Sequence, residues 1–268
     1  MTDSRLTLPA LAARKRAGER IVMLTCYDAL FAKLLDEGGA DILLVGDSLN
    51  QVLAGRRSTL SATLDQMIYH AASVRRGTER LPVVIDLPFL SYQVSIEEAI
   101  RNAGRAMAET DCDGVKLEGG RVMAPVVQAL VERGIPVIGH LGLTPQSVHA
   151  LGGYKVQGRA EGAAAALLDD ARALEAAGAS AVVLELVPTA VAASITAALA
   201  IPTIGIGAGV ACDGQVLVLH DMLGLNDGFA PKFLRRYGEL GQATRQAVSQ
   251  FAADVRSGAY PDAAHSFN

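Results

Sequence analysis

The 268-residue chain has no tryptophan, and its aromatics reach only 4%. So few flat side chains argue against a surface that stacks nucleic-acid bases. Excess positive charge is also missing: 24 Lys and Arg face 28 Asp and Glu, for a net charge of −4. Such a balance offers no basic field to a phosphate backbone. Cys26, Cys112 and Cys212 are the only cysteines, widely spaced and without a C-x-x-C pair. Neither a disulfide framework nor a zinc site is expected, and small buried thiols in a reducing cytoplasm are. The first twenty residues lack the apolar core of a secretion signal. The longest uncharged stretch, 186–212, is broken by Pro188 and Pro202. It is too short between the prolines to cross a bilayer and reads as a core helix followed by a buried strand. The expectation is a cytoplasmic protein with small-molecule partners, no nucleic acid and no membrane.

What the chain does have is repetition. Eight short apolar runs recur: "IVMLTCYD", "DILLVGDS", "LPVVIDLP", "GVKLEGG", "IPVIGHLG", "SAVVLELVP", "IPTIGIGAG" and "VLVLHDMLG". They are apolar throughout rather than alternating, as in parallel strands covered on both faces. Between them lie helical patterns such as "SIEEAIRNAGRAMAET" and "EGAAAALLDDARALEAAG". Gly38, Gly134 and Gly178 stand where helix C-caps belong. Eight β-α units in one chain of this length point to a single (β/α)8 barrel over 1–268, with a doubly wound sheet as the alternative. An N-terminal helix is expected within 1–20 and a long C-terminal helix over 231–257. Leu240, Ala243, Ala247, Phe251 and Val255 would give the latter one packing face.

In such barrels the chemistry sits at the C-terminal strand ends. Those ends carry Asp47 and Ser48, Asp86, Lys116 and Glu118, His140, Glu185, and His220 with Asp221. Asp47, Asp86 and Glu118 come from neighbouring strands 2, 3 and 4. Three converging carboxylates repel one another unless a cation or proton lies among them. Oxygen-only ligands suit Mg²⁺. The alternative is that each carboxylate merely caps a helix or loop amide. Alternation puts Lys116 on the same side of its strand as Glu118, as a substrate-binding cation or as half of a structural ion pair. Glu185 has apolar neighbours, and such surroundings raise a carboxylate's pKa and suit a general base. His140 reads as a supporting residue behind the site or as an ordinary rim histidine. "GIGAG" after strand 7 is a weak phosphate signal, equally explained by close packing. A cation held by carboxylates beside a lysine is suited to chelating a 2-oxo acid and stabilising its enolate.

In order along the chain, "VGDSL", "DLPF", "VKLEGG", "GHLGLTPQ", "GGYKVQGR", "LELVP", "IGIGAG" and "CDGQVLVLHDMLG" resemble the ketopantoate hydroxymethyltransferase family, over about residues 25–233. The resemblance implies a barrel of the phosphoenolpyruvate/pyruvate-binding type. It implies hydroxymethyl transfer from 5,10-methylenetetrahydrofolate to 3-methyl-2-oxobutanoate, with one Mg²⁺ per subunit. Asp47 and Asp86 would ligate the metal, with Glu118 joining directly or through water. Asp47, Ser48, Asp86 and Lys116 would bind the oxo acid, and Glu185 would accept the proton. A homodecamer, a pentamer of dimers, is also implied. The chain departs from the family pattern at Asn50-Gln51, at Arg56-Arg57 and at Leu186, where Gly-Met, a His and a Cys are usual. The two arginines are expected to meet the glutamate tail of the folate. A lyase of the phosphoenolpyruvate mutase and isocitrate lyase group is the competing enzyme, although its Lys-Lys-Cys-Gly stretch is missing. A non-catalytic barrel that binds an oxo acid is the other alternative.

Overall fold

The computed structural model describes residues 6–267. They fall into two compact units, one running through Val218 and one from Leu219 onward. In the first, β1 (Ile21–Thr25), β2 (Ile42–Val45), β3 (Val83–Asp86), β4 (Gly114–Glu118), β5 (Val137–Gly142), β6 (Ala181–Glu185), β7 (Thr203–Ile206) and β8 (Gly214–Leu217) pair in sequence order. All pairs are parallel, and β8 returns to β1, so the sheet closes into a barrel. The helices of this unit are α1 (Leu11–Ala17), α2 (Ala29–Glu37), α3 (Leu49–Val52), α4 (Leu64–Arg75), α5 (Ile96–Thr110), α6 (Ala124–Val131), α7 (Ala163–Ala176) and α8 (Thr189–Ala198). The second unit holds α9 (Leu219–Met222) and α10 (Leu240–Ser257). No described helix is long and apolar enough to cross a membrane.

Side-chain caps define several helix starts. Asp28 accepts from the Phe31 N–H, Ser95 accepts from the Glu98 N–H, and Thr63 with Gln66 forms a reciprocal capping box. Gly134 and Gly178 take the left-handed conformation expected after a helix. After α2 that role falls to Gly39 at φ 89°, and Gly38 stays right-handed at φ −79°.

The last apolar run is placed differently from the sequence reading. β8 begins at Gly214 and ends at Leu217, so His220 and Asp221 lie on α9 and not at a strand end. A continuous apolar run looks the same to periodicity in strand and helix. Pairing of Ile21 with Gly214 and of Leu24 with Leu217 sets the true register. A Cβ on Gly214 would lie 2.5 Å from the Ile21 carbonyl oxygen, so the strand starts on a glycine.

The C-terminal helix is also shorter than the expected 231–257. The Tyr237 and Leu240 amides donate to the carbonyls of Met222 and Leu223, folding 231–239 back on the α9 turn. The apolar stripe on α10 is open: Phe251 is 57% exposed, Val255 48% and Leu240 39%. The sequence reading assigned it a packing face, and among the described residues that face is largely exposed.

Inside the barrel, the inward columns of β1, β3, β5 and β6 run from apolar to polar. β1 goes from Ile21 and Met23 to Thr25, β3 from Val84 to Asp86, β5 from Ile138 to His140, and β6 from Ala181 and Val183 to Glu185. The apolar halves form one buried cluster with Leu8 and Leu11 of the N-terminal segment. Residues 1–5 of the expected N-terminal helix lie outside the described residues, and its remainder is a 3-10 turn at Leu8–Ala10 followed by α1. Lys15 of α1 pairs with Asp213 at 3.1 Å and donates to the Thr196 and Ile201 carbonyls. Leu8 closes against β4: a Cβ on Gly114 would lie 2.5 Å from Leu8 Cδ1. Leu8→Ala should therefore lower unfolding stability by about 2–5 kcal/mol, the usual range for a buried leucine truncation. Urea melts of variant and wild type will show this, and equal midpoints would reject Leu8 as the seal of the barrel floor.

Candidate active site

The polar ends of the inward columns form one buried cluster. Asp86 Oδ2 accepts the Asp47 main-chain N–H at 3.0 Å, and Lys116 Nζ lies 2.8 Å from Asp86 Oδ1. The register requires this closeness, since Asp86 stands directly opposite Lys116 across the β3–β4 pair. Gly46 leaves the room: a Cβ there would sit 2.9 Å from Ser48 Oγ and 3.5 Å from Asp86 Oδ2. Ser48 Oγ shares a 2.9 Å hydrogen bond with the Tyr27 hydroxyl. Glu118 is opposite His140 on the β4–β5 pair, 3.4 Å from its Nδ1. His140 Nε2 reaches Glu185 Oε2 at 3.2 Å, so one imidazole links the carboxylates of β4 and β6.

The charges in this cluster do not balance locally. Asp47, Asp86 and Glu118 are buried around Lys116. Burial, followed by the charges of Asp86 and Glu118, pushes the Asp47 carboxyl up to about 7. Burial likewise raises Asp86, though the Lys116 charge opposes it. Burial and the Lys116 charge work against an imidazolium at His140, yet pairing with Glu118 and Glu185 outweighs them and holds it up to about 9. Lys116 is raised against its burial by Asp86, Glu118 and Asp47.

The donor set fits a hard divalent cation. It consists of oxygens only, and Asp86 Oδ1 makes no hydrogen bond beyond its ion pair. Among the described residues, no three His, Cys, Asp or Glu side chains converge closely enough to hold an ion by themselves. Both Glu118 oxygens are engaged, Oε2 by the Gln146 N–H at 2.9 Å and Oε1 by His140. Asp86 is engaged as well, Oδ1 by Lys116 and Oδ2 by the Asp47 N–H, so a cation here would share these oxygens with their present partners and draw on other oxygens to complete its shell.

Sequence reasoning missed three residues here. Gln146, on the Pro145–Ser147 turn after β5, donates to Asp47 Oδ2 at 3.0 Å. Tyr92, in the loop after β3, accepts the Glu118 N–H at 3.0 Å. Tyr27, beyond β1, holds Ser48. All three are polar residues on loops that follow C-terminal strand ends, and that was the available signal. Of the departures, Asn50 is buried and ties α3 to the Ser58 carbonyl and Ser61. Gln51 joins the loop after β2 to Tyr154, while Arg56 and Arg57 are exposed. Leu186 takes a left-handed φ of 47°, a strained conformation immediately after Glu185. In "GIGAG" Gly209 serves packing: a Cβ there would lie 2.6 Å from Thr189 Cγ2.

The closed parallel barrel with acidic strand ends is a (β/α)8 barrel, a fold that solved structures share. A putative phosphonomutase from Burkholderia cenocepacia superposes with TM-score 0.61 at 18% identity, covering 94% of this chain and 99% of that one. A phosphonopyruvate hydrolase solved with oxalate and Mg²⁺ gives 0.63 at 13% identity, covering 97% and 93%. These likenesses are of fold. The family is narrower. The model of ketopantoate hydroxymethyltransferase matches residues 5–263, and the chain belongs to that family. The 3-methyl-2-oxobutanoate hydroxymethyltransferase of Pelobacter propionicus is 53% identical over 100% of both chains. Its counterpart from Prosthecochloris aestuarii is 55% identical, covering 96% of this chain and 94% of that one.

The raised Asp47 carboxyl has a stability consequence. Its proton is held more tightly in the folded chain, so its favourable contribution is complete below about pH 3.8 and is lost as pH rises through about 7. In metal-free buffer, Asp47→Asn should therefore be more stable than wild type at pH 8, by roughly 1–4 kcal/mol, with a clearly smaller gain at pH 5. Thermal melts at both pH values test this, and a gain of equal size at pH 5 would contradict it.

Proposed function

We propose that the chain transfers a hydroxymethyl group from 5,10-methylenetetrahydrofolate to 3-methyl-2-oxobutanoate, giving 2-dehydropantoate and tetrahydrofolate. The observation that carries this reading is the placement of Glu185. It is a strand-end carboxylate, braced by His140, whose other ring nitrogen lies 3.2 Å from Lys116 Nζ, the partner of Asp86. Such an arrangement suits removal of a proton next to a carbonyl. Identity above 50% over full length to enzymes named for this reaction supports the same reading.

Each residue then has a task. Glu185 takes the C3 proton of the oxo acid while His140 holds its carboxylate in place. Lys116, anchored on Asp86, presents a positive charge to the substrate carboxylate or the developing enolate oxygen. Ser48, oriented by Tyr27, donates a hydrogen bond to the bound acid. Asp47 and Asp86 would hold one Mg²⁺ per subunit, and Glu118 would touch that ion's shell through water. When bound, the cation supplies a Lewis acid that draws charge onto the keto oxygen. C3 then bonds to the donor's methylene carbon. One water completes the –CH2OH group, and both folate nitrogens leave as tetrahydrofolate.

Arg56 and Arg57 would meet the anionic folate tail, a role their exposure supports. The open apolar stripe on α10 supports burial against further copies of the chain, in keeping with a homodecamer. The three cysteines are free and buried, which suits a reducing cytoplasm. An assay of 2-dehydropantoate formation tests the central assignment. Glu185→Gln should lower kcat about 10²–10⁴-fold with the fold intact, and near wild-type turnover would remove Glu185 from its role. In the same assay Arg56→Glu with Arg57→Glu should raise the KM of the folate donor alone; an unchanged KM would reject the tail contact.

A further inference from the structure

Gln146 touches two carboxylates of the acidic cluster and has no task so far. Its side-chain amide is fully used. Nε2 donates to Asp47 Oδ2 and to the Leu87 carbonyl, both at 3.0 Å. Oε1 accepts from the Tyr92 hydroxyl at 2.8 Å and from Gln93 Nε2 at 3.1 Å. The Leu87 carbonyl can only accept and the amide oxygen meets two donors, so the amide has one sensible orientation. Its main-chain N–H meanwhile donates to Glu118 Oε2 at 2.9 Å. The residue is 6% exposed and is carried on a turn begun by Pro145. It therefore spans carboxylates that come from β2 and β4 and are far apart in sequence.

We propose that Gln146 is a positioning residue that fixes the Asp47 and Glu118 carboxylates relative to each other, and so sets the cation affinity of the site. The inference rests on the cation reading above. Asp47 Oδ2 is occupied by the Gln146 amide, so Asp47 is offered to a cation as a one-oxygen ligand through Oδ1. Glu118 Oε2 is likewise held, which keeps that carboxylate out of direct competition for the ion. Without the amide, Asp47 can rotate about χ2 and must order itself on binding, an entropic cost that a preorganised ligand avoids. Tyr92 belongs to the same device, because its hydroxyl locks the far end of the amide.

The probe is Mn²⁺ alone, followed by electron paramagnetic resonance of the free ion and without substrate or turnover. Gln146→Met keeps the main-chain donor and the approximate volume and removes the side-chain donors. Its Mn²⁺ Kd should rise about tenfold, while circular dichroism and Tm stay close to wild type. Gln93→Leu, which removes only the peripheral donor, should bind Mn²⁺ like wild type. Equal affinity in Gln146→Met and wild type would overturn the proposal and leave Gln146 as a turn latch. Should Gln146→Met fail to fold, Gln146→Asn keeps a polar amide on the turn but shortens its reach to Asp47 Oδ2. A weaker Mn²⁺ complex in that variant supports the proposal, and an unchanged one overturns it. Absence of Mn²⁺ binding in the wild type would sink the cation reading itself, and the proposal with it.

Discussion

Buried negative charge is the constraint around which this barrel is arranged. Asp47, Asp86 and Glu118 are all nearly inaccessible, and Lys116 is the full-time cation among them. Isolated carboxylates in such a place would simply take up protons. Here the strain is shared out. Asp86 leans on Lys116, Asp47 on the Gln146 amide, and Glu118 on His140 and the Gln146 main chain. The residual imbalance shows in the Asp47 carboxyl, pushed up to about 7. A site that holds excess negative charge in fixed positions is prepared for a cationic guest, and this is the physical basis for reading it as a place where an oxo acid and a divalent ion meet.

The scaffold can bear that charge because its other end is sealed. The inward columns of β1, β3, β5 and β6 change from hydrocarbon to polar along the strand, so one barrel contains both an apolar core and a polar rim. Leu8 and Leu11 fill the floor, Gly114 admits Leu8, and Lys15 ties the segment to Asp213. Parallel register then decides which groups meet. Asp86 faces Lys116, and Glu118 faces His140, because those residues are paired across neighbouring strands. Distances in the site are consequences of sheet pairing more than of loop conformation. Leu186, strained at a left-handed φ beside Glu185, is the exception where the backbone itself bends to present a side chain.

Much of this was legible in the chain. Eight apolar runs gave eight strands, and Asp47, Asp86, Lys116, Glu118, His140 and Glu185 meet at one rim, because strand ends in a closed barrel converge by geometry. The end of the repeat was not legible, since "VLVLHDMLG" is equally apolar as strand or helix and only pairing with β1 fixes its register. The start of α10 was obscured for a similar reason: Tyr237 and Leu240 find acceptors outside any helix. Gln146 and Tyr92 escaped notice because nothing local marks a loop amide or phenol as a bridge. Their partners lie 99 and 26 positions away. Long-range hydrogen bonds leave no periodic trace in sequence.

The account turns on whether this cluster removes a proton from the oxo acid. The direct measurement follows exchange of the C3 proton of 3-methyl-2-oxobutanoate in deuterated water by proton NMR. It is run with and without Mg²⁺, and with tetrahydrofolate present and absent. Exchange that requires Mg²⁺ and vanishes in Glu185→Gln is the predicted result. Wild-type protein that never exchanges the proton under any of these conditions, or a Glu185→Gln variant that exchanges it at the wild-type rate, would contradict the account.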